Sequence, residues 1–353
     1  MKIAIINNLY KPYHKGGAEK VCERLITELE KNGHFCFIVT TKPKILTDTN
    51  QNPKTYYLDS NYYNLGKKSL PYRFFWQIGN IFNFGQGKKL KKILQLEKPD
   101  LIISNNLMGI GLKTFKIIKR LNIEHTHVLH DIQLIHPSGL IIFKQEKIIN
   151  TLPSKIYQNI SRYFSGSPEK VVSPSNWLLQ EHIKKGFFKK SEKIVQPNPQ
   201  PFGEKKEIIR EKNKNTTDFL FIGQIEEHKG IIFLIETFKK IENAKINLKI
   251  IGDGKLIDKI KLIAQDDNRI KILGLKNKED VTKELIEADC LIVPSLCYEN
   301  SPTVIYEAQH FNLPIIASNI GGIPELLLKE PNSLFKPGNG KELIERINKF
   351  APK

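Results

Sequence analysis

Short runs of Ile, Val, Leu and Phe alternate with stretches of helical period along nearly the whole chain, and this rhythm leaves few folds open. Lys2 to Ile6 precedes a helical pattern over Glu19 to Leu29. Phe35 to Thr40 follows, then Leu101 to Ser104 with a helical pattern over Gly109 to Leu121, then His127 to His130. Short apolar runs separated by helix-length segments predict βαβ units and a parallel sheet. Within the first helical pattern Val21, Cys22, Leu25, Ile26 and Leu29 recur at helical spacing, and Gly33 follows as a C-terminal cap.

A second series opens at Phe219 to Gly223 and runs through Ile246 to Gly252, Ile270 to Gly274, Cys290 to Pro294 and Ile315 to Ser318. Between the two series lie the proline-rich stretch Gln196 to Gly203 and the charged stretch Glu204 to Asp218, which has no period. At 353 residues the chain exceeds one ordinary core. The expectation is two doubly wound, Rossmann-like α/β domains, 1–200 and 201–353, facing a cleft, with ligands outside the carboxyl ends of the strands. Residues 55–98, rich in Tyr, Phe and Lys, fit the alternation poorly and read as an insertion.

Apolar residues make up 40% of the chain and charged ones 26%, which excludes a disordered polypeptide. The net charge of +18 admits nucleic acid, an anionic membrane surface or a phosphorylated substrate as partner. Cys22, Cys36, Cys290 and Cys297 form no CxxC pair and sit in or beside apolar runs, as buried thiols of a reduced, cytoplasmic compartment do. The run Ile3 to Ile6 is stopped by Asn7 and Asn8, too soon for a signal-peptide core. No stretch reaches the length of a membrane span, so any membrane contact is peripheral, at the inner face.

The chemistry is therefore sought in loops after strands. Gly16 and Gly17, after Lys15, stand between a strand and its helix, where backbone amides can approach an anion; the alternative is a purely structural turn. His130 and Asp131 close a strand, and His130 can bond a sugar hydroxyl or serve only as a structural pair with Asp131. Lys229 stands just before a helix, where the macrodipole disfavours a cation unless an anion faces it; a solvated lysine is the alternative. Pro302 fits the first turn of a helix and leaves the amides of Thr303 and Val304 to donate to an anion. Glu299 precedes that helix and Glu307 lies inside it among apolar residues, and a carboxylate near the helix's inner face needs hydroxyl or amide partners, which a ribose diol would supply. Gly321 and Gly322, with Glu325, form a further strand-to-helix turn.

These residues, in this order and spacing, resemble the retaining glycosyltransferases of family 4, with the GT-B fold, over nearly the whole chain. The resemblance implies a metal-independent enzyme without a cofactor, whose C-terminal domain holds a nucleotide diphosphate sugar, UDP- or GDP-linked. Lys229 would meet the diphosphate, Glu307 the ribose, Glu299 and His130 the donor sugar, and the backbone at Gly274 and Leu275 the base. Gly16 and Gly17 would close over the phosphate, and Asn300, Ser301, Thr303 and Val304 complete the donor-binding set. The N-terminal domain would hold the acceptor. Two departures stand out. Gln224 replaces the family's usual arginine, and the chain ends at Lys353 soon after a helix over Glu342 to Asn348, so the C-terminal domain reads as truncated or unusually short.

Aromatic residues from Tyr62 to Phe84 interleave with Lys67, Lys68, Arg73, Lys88, Lys89, Lys91 and Lys92, which suits either a lipid headgroup region and a lipid-linked glycan acceptor or simple core packing. Three rival functions stay open: a sugar-nucleotide epimerase, a non-catalytic sugar-nucleotide-binding protein, and nucleic-acid binding, for which no recognition motif exists.

Overall fold

The computed structural model describes residues 1–13, 16–43, 54–82, 85–201, 215–330 and 333–350, and not the side chains of Asn64, Lys67, Leu70 and Phe74. Lys15 and Phe84 lie outside the described residues. The chain forms two compact units: unit 1 comprises Met1–Leu140 and Lys147–Pro199, and unit 2 comprises Ile141–Glu146 and Gln200–Lys353.

Unit 1 is built on a seven-stranded sheet of β1 (Lys2–Ile6), β2 (Phe35–Pro43), β3 (Thr55–Ser60), β4 (Leu101–Ser104), β5 (Glu124–Val128), β6 (Lys170–Ser173) and β7 (Glu192–Val195). The order is β3-β2-β1-β4-β5-β6-β7 and every pairing is parallel. Its helices are α1 (Gly17–Lys31), α2 (Leu70–Phe82), α3 (Gln86–Glu97), α4 (Thr114–Leu121), α5 (Leu152–Ser165) and α6 (Asn176–Lys184). Helix α1 starts where the Gly16 amide donates to Glu19 Oε2 at 2.7 Å, and stops before Gly33, whose φ of +79° suits glycine. Its inner face packs Cys22 and Ile26 onto Ile3, Ile5, Cys36 and Ile38.

The reading of residues 55–98 as an insertion is corrected: β3 extends the sheet in parallel register beside β2, and α2 and α3 lie on the way back to β4. Aromatic residues are good strand formers, so Thr55–Ser60 pairs despite lacking an aliphatic run. The strand expected over His127 to His130 is Glu124–Val128 instead. It is polar in sequence and buries His125 and His127 on one face, which hid it from an apolar count.

Unit 2 carries a six-stranded sheet of β8 (Thr217–Ile222), β9 (Ile246–Ile251), β10 (Ile270–Gly274), β11 (Cys290–Val293), β12 (Ile315–Ser318) and β13 (Leu334–Phe335), in the order β10-β9-β8-β11-β12-β13, all parallel. Helices α7 (Ile231–Phe238), α8 (Ile257–Ala264), α9 (Lys278–Glu287), α10 (Thr303–His310), α11 (Ile323–Leu326) and α12 (Gly340–Asn348) accompany it. One core gathers α7, α8 and α12 around Phe219, Phe238 and Ile250; the other gathers α9 and α10 around Leu220, Leu291 and Ile305. Both faces are covered, as a parallel sheet requires. Among the described residues no helix is long and apolar enough to cross a membrane.

Three histidines are buried together in unit 1. Ser104 Oγ lies 2.7 Å from His125 Nε2 and 2.8 Å from His127 Nδ1, and the rings of His127 and His182 pack against Phe188. Burial pulls His125 down to about 3 and His182 down to about 4, and holds His127 well below the usual histidine range. These rings stay neutral in the fold while the unfolded chain takes up protons as pH falls below about 6.5. Stability is therefore full above that pH and is lost as pH falls toward about 4, by up to about 1.4 kcal/mol per pH unit for each histidine. Urea unfolding at pH 7 and pH 5 will show a lower midpoint at pH 5; equal midpoints would contradict the neutral cluster.

Candidate functional site

In a doubly wound sheet the loops that diverge at the reversal of strand order leave a crevice at the carboxyl edge. In unit 2 the order reverses between β8 and β11. The two loops that leave there are Gly223 to Gly230 and Pro294 to Pro302, and they carry Lys229 and Glu299. Lys229 Nζ donates to Glu299 Oε1 at 2.6 Å. The same oxygen accepts from Ser295 Oγ at 3.0 Å and faces Cys297 Sγ at 3.6 Å. All three donors fall on one carboxylate oxygen.

Burial would pull the Lys229 ammonium down, but the Glu299 carboxylate outweighs it and holds the lysine above its ordinary range. Burial likewise would raise Glu299, yet the Lys229 charge and the bonds from Lys229 and Ser295 hold it below the carboxylate range. The pair is therefore charged at neutral pH. Neighbouring His228 is pulled down by burial and by the Lys229 charge.

Close backbone approach sets this geometry. Gly230 has φ +73°, and a side chain there would overlap the carbonyl oxygen of Pro294, while Leu296 N donates to His228 O at 2.9 Å. On the other flank Gly322 N donates to Glu299 O at 2.8 Å, and a side chain on Gly321, φ +62°, would overlap that same oxygen. Ile141–Glu146 borders the Glu299 loop as well: Ile142 and Cys297 form an antiparallel bridge, and Tyr298 OH donates to Glu146 Oε1 at 3.0 Å.

The other predicted residues of unit 2 are placed as follows. Gln224 is exposed directly after β8. Gly274 ends β10 with φ +70°, and Leu275 beside it is 79% exposed. Asn300 and Ser301 lie between Glu299 and α10, Ser301 Oγ being 2.7 Å from Tyr306 OH. Thr303 and Val304 form the first turn of α10, and Glu307 is buried within it. Pro302 is the N-cap, one residue before the position expected, because its ψ of 122° is extended.

In unit 1 the order reverses between β1 and β4. His130, two residues beyond β5, lies with Nε2 2.8 Å from Asn105 Oδ1, in the loop after β4. Asp131 accepts from Gln133 N at 2.7 Å and from Asn106 Nδ2 at 3.2 Å. Both line a cavity of about 30 Å³ with Asn80, Asn106 and Tyr157. Burial pulls His130 down to about 4 and pushes Asp131 up to about 7. Gly16 is the N-cap of α1, its amide held by Glu19, and Gly17 is the first helical residue.

Sequence families agree with this architecture. Residues 15–199 match the model described as Glycosyltransferase Family 4, and residues 204–351 match Glycosyl transferases group 1. The chain belongs to glycosyltransferase family 4. A Klebsiella pneumoniae protein, described as an uncharacterized 42.6 kDa protein in the cps region, is 28% identical to this glycosyltransferase over 95% of the chain and 90% of its own length. Among solved structures, the lipopolysaccharide outer core galactosyltransferase WaaB in its apo form superposes with a TM-score of 0.66 at 17% identity, covering 99% of this chain and 90% of that one. Anabaena Alr3699/HepE in complex with UDP superposes at 0.69 with 16% identity, covering 99% and 89%. The fold of the glycosyltransferase is thus GT-B.

Sequence reasoning missed Ser295, Cys297 and the Ile141–Glu146 strip of the glycosyltransferase. Ser295 and Cys297 flank Glu299 at four and two residues' distance, a spacing that places small donors near a carboxylate only once the loop's path is known. Removing Lys229 leaves Glu299 charged, largely buried and short of its main partner. Lys229→Ala will lower the stability of unit 2 by about 3 kcal/mol in urea unfolding, and Lys229→Ala with Glu299→Gln will regain most of it. A single-variant loss below about 1 kcal/mol would mean that solvent screens the pair.

Proposed function

We propose that the glycosyltransferase binds a nucleotide diphosphate sugar in unit 2 and transfers the sugar, with retention, to an acceptor hydroxyl in the assembly of a cell-surface polysaccharide, lipopolysaccharide or lipid-linked saccharide. The observation that carries the reading is the charged Lys229–Glu299 pair held at the strand-order reversal. A cation there suits a diphosphate, and a fixed carboxylate beside it suits sugar hydroxyls. UDP is the favoured nucleotide, since the HepE structure holds UDP, and the surface-glycan setting is supported by likeness to WaaB, a lipopolysaccharide outer core galactosyltransferase, and to a Klebsiella protein of the cps region.

In this reading Lys229 and the amides of Thr303 and Val304 stabilise the departing diphosphate, with Asn300 and Ser301 beside them. Glu307 binds the ribose, the backbone at Gly274 and Leu275 meets the base, and Glu299 holds the sugar. Family resemblance assigns His130 to the sugar and Gly16 and Gly17 to the phosphate. The bond from the anomeric carbon to the phosphate oxygen breaks as the acceptor oxygen forms its bond on the same face, and the acceptor proton passes to the diphosphate. Unit 1 takes the acceptor, and exposed Lys68, Arg73, Lys88, Lys89, Lys91 and Lys92 meet an anionic membrane surface that presents it.

Thermal unfolding without metal, against UDP, GDP, ADP and their sugar conjugates, tests the donor half. A ligand at about a hundred times its dissociation constant stabilises by about 2.7 kcal/mol. One nucleotide class will raise the midpoint of the wild type and not of Glu307→Ala; no shift from a folded sample would reject the reading.

Gln224 offers a second test, because its exposed position after β8 leaves room for the family's usual arginine. Gln224→Arg will leave turnover intact or raise it by about tenfold to a hundredfold, a charged phosphate contact being worth about 1.5 to 3 kcal/mol. A severe loss would give Gln224 a role of its own.

A further inference from the structure

Helices α2, α3, α4 and α5 have an unusual charge balance: together they carry ten Lys and Arg against a single carboxylate, Glu97. That carboxylate is bound by Lys2 and Tyr56. Helix α1 of the same unit balances three cations with four glutamates, so the asymmetry belongs to this group of helices and not to unit 1 at large. Helices α3, α4 and α5 pack side by side, and α2 reaches α5 where the Phe82 and Phe164 rings meet edge-on at 5.7 Å.

An apolar ridge runs through this cationic field. On α2, Phe75 is 69% exposed, Ile78 38% and Phe82 39%. On α5, Leu152 is 72% exposed, Ile156 52% and Tyr163 68%. At helical spacing the three α5 residues fall within about 40° of one another and the three α2 residues within about 60°, so each forms a stripe and not a scatter. Tyr163 packs against Phe164, which joins the two stripes, and Lys116 Nζ lies 4.3 Å above the Tyr163 ring. Amphipathic residues such as Tyr and Lys side by side, with Phe, Ile and Leu beyond them, are what a bilayer interface receives.

We infer that the α2/α5 ridge inserts into the headgroup region of an anionic lipid membrane, with the cations of α3, α4 and α5 lying on the surface around it. This goes further than the electrostatic contact of the lysine run proposed above and rests on that contact being with lipid. Charge alone draws a protein to a surface and releases it in salt, whereas buried apolar side chains resist salt. Duplex nucleic acid would use the cations through its phosphates and leave Phe75, Ile156 and Tyr163 in water.

Sedimentation with vesicles of phosphatidylglycerol and phosphatidylethanolamine separates the two contributions. At about 0.1 M and about 1 M salt the screening length falls from about 10 Å to about 3 Å. Wild type will sediment in both, less at high salt. Phe75→Ser with Ile156→Ser and Tyr163→Ser will lose the salt-resistant part and partition at least about tenfold less, while the cooperative thermal transition is retained because more than half of each side chain is exposed. Charge reversal of Lys88, Lys89, Lys91 and Lys92 to Glu will lose the low-salt attraction. Triple-variant binding equal to wild type at both salts overturns the ridge; if the lysine variant alone loses binding, the electrostatic contact stands without it. Wild type that fails to sediment, a wild-type dimer that the triple variant dissolves, or RNA bound equally by both proteins in place of vesicles also overturns it. No nucleotide enters this assay, so its failure is distinct from failure of the donor reading.

Discussion

Parallel strand pairing is the constraint on which the rest of this molecule depends. A parallel ladder cannot be closed by a hairpin, so each strand must be followed by a crossover that returns to the starting edge. Every loop that leaves a strand's carboxyl end therefore gathers at one edge of the sheet, whatever its sequence. In each unit the chain begins in the middle of its sheet and winds outward both ways, which parts two of those loops at β1 and β4 and again at β8 and β11. The candidate residues of unit 2 lie at such an edge because the topology leaves them no other place.

At that edge the electrostatics follow from burial. A lysine and a glutamate taken largely out of water would each drift toward neutrality, and their contact at 2.6 Å holds both charged. The pair is fixed by backbone as much as by charge. Gly230 and Gly321 permit approaches that a methyl group would block, and the Ser295 hydroxyl holds the same Glu299 oxygen as Lys229 does. In the function proposed above, the positioned cation serves the diphosphate and the positioned carboxylate the sugar, at little reorganisation cost.

Unit 1 combines a dry interior with a charged exterior. Its buried histidines are kept neutral by desolvation, which couples the fold to pH, and one serine bridges His125 and His127. Outside, four helices with ten cations and a single carboxylate carry exposed apolar side chains on α2 and α5.

Much of this was legible in the linear chain. Strands such as β1, β4, β11 and β12 are largely continuous apolar runs because both sheet faces are covered, and their ends fell where the runs stop. The glycines, Lys229, Glu299 and Glu307 stood out as residues that break the local rule for their position. By contrast β3 and β5, being aromatic or polar, escaped an apolar count, and Asn105 as partner of His130 had no signal in sequence. Most of the elements and the parallel class rest on periodicity and short-range order, and the family resemblance rests on the order and spacing of the loop residues, so all of these could be read without a structure. The folded chain alone reveals that Ser295 and Cys297 serve one oxygen of Glu299, that Ile141–Glu146 belongs beside that loop, and that α2 meets α5. Those facts depend on contacts between residues far apart in the chain, or on a loop's path, and neither is encoded in any local pattern.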